Sequence, residues 1–353
     1  MPEKFILKAF TGKSDVNGLE KNEAVVGQTM LPPYYSQFSQ RVLDAPVKED
    51  DIWLVSYPRT GSTWCQEMIW LIQNNVDFQT CRSTLQQLRA PLIESSVVLF
   101  EHVGSITTET SKVPLPQYIK VDLPLSQLPS SMDELKVKLD LLFTDSVRFV
   151  EQLPSPRCIK SHLSIDLLPE QIWSVKPKII YVMRNPKDLC VSYYFHCQLV
   201  HKFDVDFETF CELLLDDCLP IGSIFKHYLG YWNKRHDLNM LILRYEEMRL
   251  DTRGTVEKIA NYLGKTLTEE QVDQICEFVS FNTMRNNKAC NLQVLVDNKK
   301  GDDFYTKSGK HFVRKGIIGD YKNYMSPEMI ARFDNWIEEN IRGTDLELSL
   351  DAV

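Results

Sequence analysis

Six residues, PRTGST from Pro58 to Thr63, join the apolar run WLVSY to the helical run WCQEMIWLI. A strand that ends in such a turn and enters a helix at Gly61-Ser62-Thr63 aims free backbone N–H groups at whatever lies beyond it, an arrangement suited to an anion. Arg59 adds a fixed charge, the hydroxyls of Thr60, Ser62 and Thr63 add donors, and Gly61 lets a phosphate approach the backbone closely. The same letters also describe a well-capped helix behind a buried strand. The joint lacks the first glycine and the lysine of G-x-x-x-x-G-K-[ST], which argues against a nucleoside triphosphate with magnesium. No G-x-G-x-x-G comes after a strand to indicate a dinucleotide.

Similar chemistry recurs downstream. YVMRNPKDLCVSYY ends an apolar run with Arg184 and carries Ser192 two turns into a helical pattern, while HFVRKGIIGDYKNY supplies Arg314, Lys315 and Gly316. Three separate segments therefore offer donors to an anion. A fourth, IKSHLSIDLLP, places Lys160 and His162 at a strand end. Histidine suits general-base work because its ordinary pKa, about 6.5, lies near neutral pH.

The framework beneath these residues is legible in the hydrophobic pattern. DIWLVSY (51–57), RCIKS (157–161), KIIYVMR (178–184) and NMLILRY (239–245) are short, apolar and rich in branched residues, as buried parallel strands are. Helical patterns separate several of them; after the third, Asn185 is placed to cap a helix and Pro186 to open it. This rhythm predicts an α/β fold with a central parallel sheet flanked by helices, built as one domain over residues 1–353. Residues 75–155 break the rhythm with repeated proline and then a helix over MDELKVKLDLLFTDSVRFVEQL, as an insertion covering one end of the sheet would. The polar stretch 285–315 reads as a long loop over the site.

Composition excludes several classes. Forty Lys and Arg against 48 Asp and Glu give a net charge of −8, so nothing suggests nonspecific attraction to nucleic acid or anionic membranes. The first residues lack a signal-peptide apolar core and no run of about 18 apolar residues offers a membrane span, which makes a cytoplasmic location the expectation. Nine cysteines without a C-x-x-C pair read as free thiols, with Cys190/Cys197 and Cys211/Cys218 each on one helical face.

Together the motifs resemble the cytosolic sulfotransferase family, whose patterns are Y-P-K-[ST]-G-[ST]-T-W, R-N-x-K-D-x-x-V-S-Y-Y and R-K-G-x-x-G-D-W-K, in this order over about residues 45–340. The resemblance implies 3′-phosphoadenosine 5′-phosphosulfate (PAPS) as donor, adenosine 3′,5′-bisphosphate (PAP) as product, and no metal. Arg59, Thr60, Gly61, Ser62, Thr63 and Trp64 would cradle the 5′-phosphosulfate, with Trp64 also against the adenine. Arg184 and Ser192 would bind the 3′-phosphate together with Arg314, Lys315 and Gly316. Tyr245, the pair Ser280 and Phe281, and the pair Phe312 and Val313 fall on family positions beside the nucleotide. His162 would be the base, with Lys160 and Arg59 stabilising the leaving phosphate, and the acceptor would be a small hydroxyl compound such as a phenol, sterol or retinoid.

Three departures mark this chain. Arg59 stands where the family usually has lysine, as in the insect branch that includes retinol dehydratase; arginine keeps the charge but does not donate a proton. SYYFH replaces SYYHF and puts His196 where the family offers the acceptor an apolar ring. KNYMSPEMIA replaces the family's dimer segment, so that dimer is not expected. Besides sulfuryl transfer, the resemblance leaves two alternatives: elimination of water through a sulfated intermediate, and a catalytically weak PAPS- or PAP-binding protein.

Overall fold

The computed structural model describes residues 8–10, 29–31, 35–98, 132–200, 205–292 and 311–348. Two short antiparallel strands, β1 (Lys8–Phe10) and β2 (Thr29–Leu31), stand apart from the main sheet. That sheet has four parallel strands, β3 (Ile52–Ser56), β4 (Cys158–Ser161), β5 (Lys178–Met183) and β6 (Met240–Arg244), in the order β4-β3-β5-β6. Each lies within one of the four apolar runs read from the sequence.

Alternation along these strands divides the core in two, because successive side chains leave opposite faces of a sheet. Trp53, Val55, Ile159, Ile179 and Tyr181 enter one cluster, together with Leu189, Cys190 and Tyr193 of the helix α2 (Pro186–Val200). Ile52, Leu54, Cys158, Ile180 and Val182 enter the other, with Met68, Leu71 and Ile72 of α1 (Ser62–Gln73) and with α3 (Thr252–Leu263). Helices thus cover both faces, and the runs are apolar throughout because neither face meets water.

The order of the strands dictates where a ligand can sit. From β3 the chain crosses to the edge at β4 and returns to the other side of β3 at β5, so the connections diverge beside β3 and open a crevice past the strand ends. Arg59, His162, Arg184 and Tyr245 all lie one to three residues past the C-terminal ends of the four strands.

Residues 75–155, expected as an insertion, are partly described. Its residues Pro91 to Ile93 extend the sheet edge: Lys160 N–H donates to the Pro91 carbonyl at 2.8 Å and Ile93 N–H to the Lys160 carbonyl at 2.9 Å. The single helix expected near 132–153 is two, Met132–Thr144 and Ser146–Glu151, because the Asp145 carboxylate accepts from Arg148 N–H at 3.1 Å and caps a new start. The expected loop 285–315 begins inside a helix, Phe281–Asn286, and residues 293–310 lie outside the described residues. All nine cysteines are free thiols. Cys211 and Cys218 do not share a helical face as expected, since their helix ends at Leu215; Cys211 instead lies with its sulfur 3.7 Å from that of Cys190.

Candidate active site

The joint after β3 is wound tightly. Arg59 takes φ 71° and Gly61 φ 98°, the left-handed region that side chains usually avoid. At Gly61 a glycine is required: a Cβ there would come within 2.5 Å of the Tyr245 ring. No side chain caps the N-terminus of α1. Its first residues, Ser62, Thr63 and Trp64, line a cavity, where an uncapped helix N-terminus favours an anion.

Around that N-terminus lies a cavity of about 190 Å³. Its wall brings together every candidate site residue named from the sequence except Thr60 and Ser280. The Thr60 hydroxyl is turned inward and donates to the Tyr57 carbonyl at 3.0 Å. Ser280 caps the helix Phe281–Asn286, accepting from Thr283 N–H at 3.4 Å.

Arg59 ties three segments together. Its Nε donates to Ser192 Oγ at 3.1 Å, a terminal nitrogen donates to the Phe312 carbonyl at 2.8 Å, and the guanidinium lies 4.4 Å from the centre of the Phe312 ring. The Arg59 carbonyl in turn accepts from Arg184 at 3.2 Å. Arg184 stacks over Tyr245 at 4.1 Å and reaches the Ile317 carbonyl, while its Nε is buried without a partner. Arg314 is the same in kind: it pairs with Asp320 at 2.6 Å, yet its Nε is also buried and unpaired. Lys315 shares Asp320 at 3.1 Å. Arg184, Arg314 and Lys315 thus bring three cations to one cavity wall, a lining that suits an anionic ligand. Gly316, at φ 66°, packs its backbone on Phe281. Trp64 donates from its indole to the Val279 carbonyl at 2.8 Å, Val313 lines the same wall, and His196 stacks on Tyr193 with its edge to Phe312.

His162 is held by the backbone of β3, its Nδ1 lying 2.7 Å from the Ser56 carbonyl. A carbonyl can only accept, so Nδ1 carries the proton and Nε2 is the free lone pair of a ring that lines the cavity. Burial, and then the nearby Lys160 ammonium, push its pKa well below the usual 6.5. The ring is therefore neutral at pH 7. Burial lowers Lys160 to about 8, against the opposing pull of Glu94.

Two acidic residues that support the site carry no signal of that role in the sequence reading. Glu94, fully buried, accepts from His162 N–H at 2.5 Å and from Ser161 Oγ at 3.1 Å, and burial raises its pKa to about 7. Nothing local marks it; only the pairing of Pro91 to Ile93 with β4 brings it there. Asp188 lies inside the second motif and accepts from Gly319 N–H at 2.7 Å and Tyr321 N–H at 3.0 Å, fastening the segment that carries Arg314 to Gly316 onto α2. Asp188→Ala should cost about 1–3 kcal/mol for each buried N–H left unpaired, seen as a lower melting temperature and weaker nucleotide binding in the same variant. Unchanged affinity would remove Asp188 from the positioning of that segment.

Fold and site together define an α/β protein with a cation-lined cavity at the C-terminal ends of its parallel strands, beside a neutral histidine. A sulfotransferase domain matches residues 49–345, and the chain belongs to that family of enzymes. Luciferin sulfotransferase of Photinus pyralis is 36% identical over 320 residues, covering 90% of this chain and 78% of that protein. Sulfotransferase 1E1 of Bos taurus is 31% identical over 320 residues, covering 89% and 92%. Among solved structures, retinol dehydratase in complex with retinol and PAP matches with a TM-score of 0.75 at 27% identity, over 91% of this chain and 90% of that one. No described helix is long and apolar enough to cross a membrane, and no described group of His, Cys, Asp and Glu could hold a metal ion.

Proposed function

We propose that this sulfotransferase moves a sulfuryl group from PAPS to the hydroxyl of a small, largely apolar acceptor, with His162 as the base. The observation that carries this reading is the His162 tautomer: Nδ1–H is committed to the Ser56 carbonyl, which leaves Nε2 of a neutral ring as the proton acceptor. Nε2 takes the acceptor's proton as its oxygen bonds to sulfur, and the bond from sulfur to the phosphate oxygen breaks in line, releasing PAP. Negative charge grows on that phosphate oxygen. Arg59, Lys160 and the N-terminus of α1 are the cavity's groups for holding it. The 3′-phosphate falls to Arg184, Ser192 and Arg314, two guanidinium groups and a hydroxyl on the same wall. The adenine is assigned to the aromatic set of Trp64, Tyr245 and Phe281.

The donor assignment is tested by thermal unfolding. PAP should raise the melting temperature, with about 2.7 kcal/mol of stabilisation at 100 times its dissociation constant, while ATP with magnesium should do far less. Equal stabilisation by the two would count against it. The likeness to retinol dehydratase supports a second reading, in which the sulfate formed on an allylic alcohol leaves and water is lost overall. A dehydrated product in place of a stable sulfate ester distinguishes it.

A further inference from the structure

His227, in the helix Ile224–Trp232, is buried against the rings of Tyr57, Tyr181 and Tyr231, with centres 5.7, 5.6 and 5.2 Å away. Its Nε2 lies 3.2 Å from the His162 carbonyl and its Nδ1 2.7 Å from the Tyr181 hydroxyl. A carbonyl can only accept, so Nε2 carries the proton and Nδ1 accepts from Tyr181. Burial lowers the pKa of His227 to about 3, which keeps the ring neutral and this order intact at pH 7. The donors then run one way: Tyr181 to His227, His227 to the His162 carbonyl, and His162 Nδ1–H to the Ser56 carbonyl. His162 needs such partners because β4 ends at Ser161, where its pairing with β3 stops. Side chains hold both of its backbone groups instead, Glu94 accepting from the N–H and His227 donating to the carbonyl. Leu163 is held in the same manner, its N–H donating to Ser161 Oγ at 3.1 Å and its carbonyl accepting from the Tyr231 hydroxyl at 2.9 Å.

We infer that His227 is a positioning residue for the base: its N–H fixes the peptide that carries His162, and so the direction from which Nε2 of that ring meets the acceptor. The inference rests on the reading of His162 as the base. A ring hung by Nδ1 alone swings with its peptide, whereas a backbone held at both N–H and C=O leaves the Nδ1 contact one orientation. Misplacement of a reacting group by about 1 Å can cost about 10²-fold in rate. Packing alone does not call for a histidine at this position, since a phenylalanine would fill a cluster of tyrosine rings without burying two nitrogens.

Two substitutions separate positioning from packing. His227→Asn keeps a partner for Tyr181 but ends short of the His162 carbonyl, while His227→Gln reaches that carbonyl with an amide N–H. With PAPS as donor and 2-naphthol and retinol as acceptors, His227→Asn should lower kcat at least about tenfold, with PAP affinity unaltered, and His227→Gln should recover most of the loss. In a His162→Ala background the same His227→Asn change should cost less than about twofold more, because its effect passes through the absent ring. Nitrogen NMR of isotope-labelled histidine in the PAP-saturated protein needs no acceptor. There His227 should show the Nε2–H form and His162 the Nδ1–H form, with His162 moving to a mixture of the two forms in His227→Asn. His227→Phe, which fills the ring space without a donor, takes the place of His227→Asn if that variant does not fold. Equal losses with and without His162, or His162 resonances that stay in place in the folded variant, would overturn the inference. Full activity in His162→Ala would instead remove the base on which it rests.

Discussion

His162→Ala should lower kcat by about 10²–10⁴, the range contributed by a positioned general base, while PAP affinity changes little. The separation is geometric, since His162 hangs on β3 and β4 through Ser56 and Glu94, whereas Arg184 and Arg314, the residues assigned to phosphate, come from other segments. The pH dependence carries the same signature. A base must be neutral to act, so activity falls only as pH drops through the depressed pKa of His162, and the acid limb should lie well below 6.5. Lys160, lowered by burial to about 8, loses its charge as pH rises through that value, which places an alkaline limb near 8. Steady-state assays from pH 5 to 9 should show activity held as pH falls through 6.5 and lost as it rises through about 8. Full activity in His162→Ala at neutral pH would remove it from the reaction.

Replacing Arg59 should divide its two duties. Arg59→Met removes a charge aimed at the leaving phosphate and should cost about 10²–10³ in turnover, by analogy with loss of one preorganised donor to a developing anion. PAP binding should fall less, since PAP lacks the sulfuryl group. Arg59→Lys keeps the charge and should stay within about tenfold, because an ammonium cannot reach Ser192, the Phe312 carbonyl and the Phe312 ring together and loses about one hydrogen bond. Single-turnover transfer from saturating donor separates these outcomes. If Arg59→Met abolished donor binding and left that step untouched, Arg59 would serve docking alone and the catalytic charge would pass to Lys160. A wild-type protein that binds PAP but never transfers would leave the reading of a catalytically weak binding protein.

Much of the site is legible in the sequence because its residues sit at fixed offsets from strand ends. Apolar runs buried on both faces announce themselves, and Arg59, His162, Arg184 and Tyr245 stand at or just past the ends of those runs. Glu94 is not legible, since its neighbours in the sequence give no period and its role exists only through the pairing of Lys160 with the chain around Leu92. The break at Asp145 is hidden for a related reason: a heptad-like apolar pattern continues across it, and the capping carboxylate reads as one more helical residue. Cys211 and Cys218 show the limit of spacing, for seven residues mark one face only while the helix lasts.

The most direct test of the transfer reaction is to incubate the protein with PAPS and a mixed set of phenols, sterols and retinoids, and to follow PAP and the acceptors together by mass spectrometry. Sulfuryl transfer predicts PAP released in step with one acceptor gaining a sulfate, or losing water where an allylic alcohol is consumed, and both products forming about 10²–10⁴-fold more slowly with His162→Ala. Release of PAP with every acceptor unchanged, or products that persist undiminished in the His162→Ala protein, would contradict it.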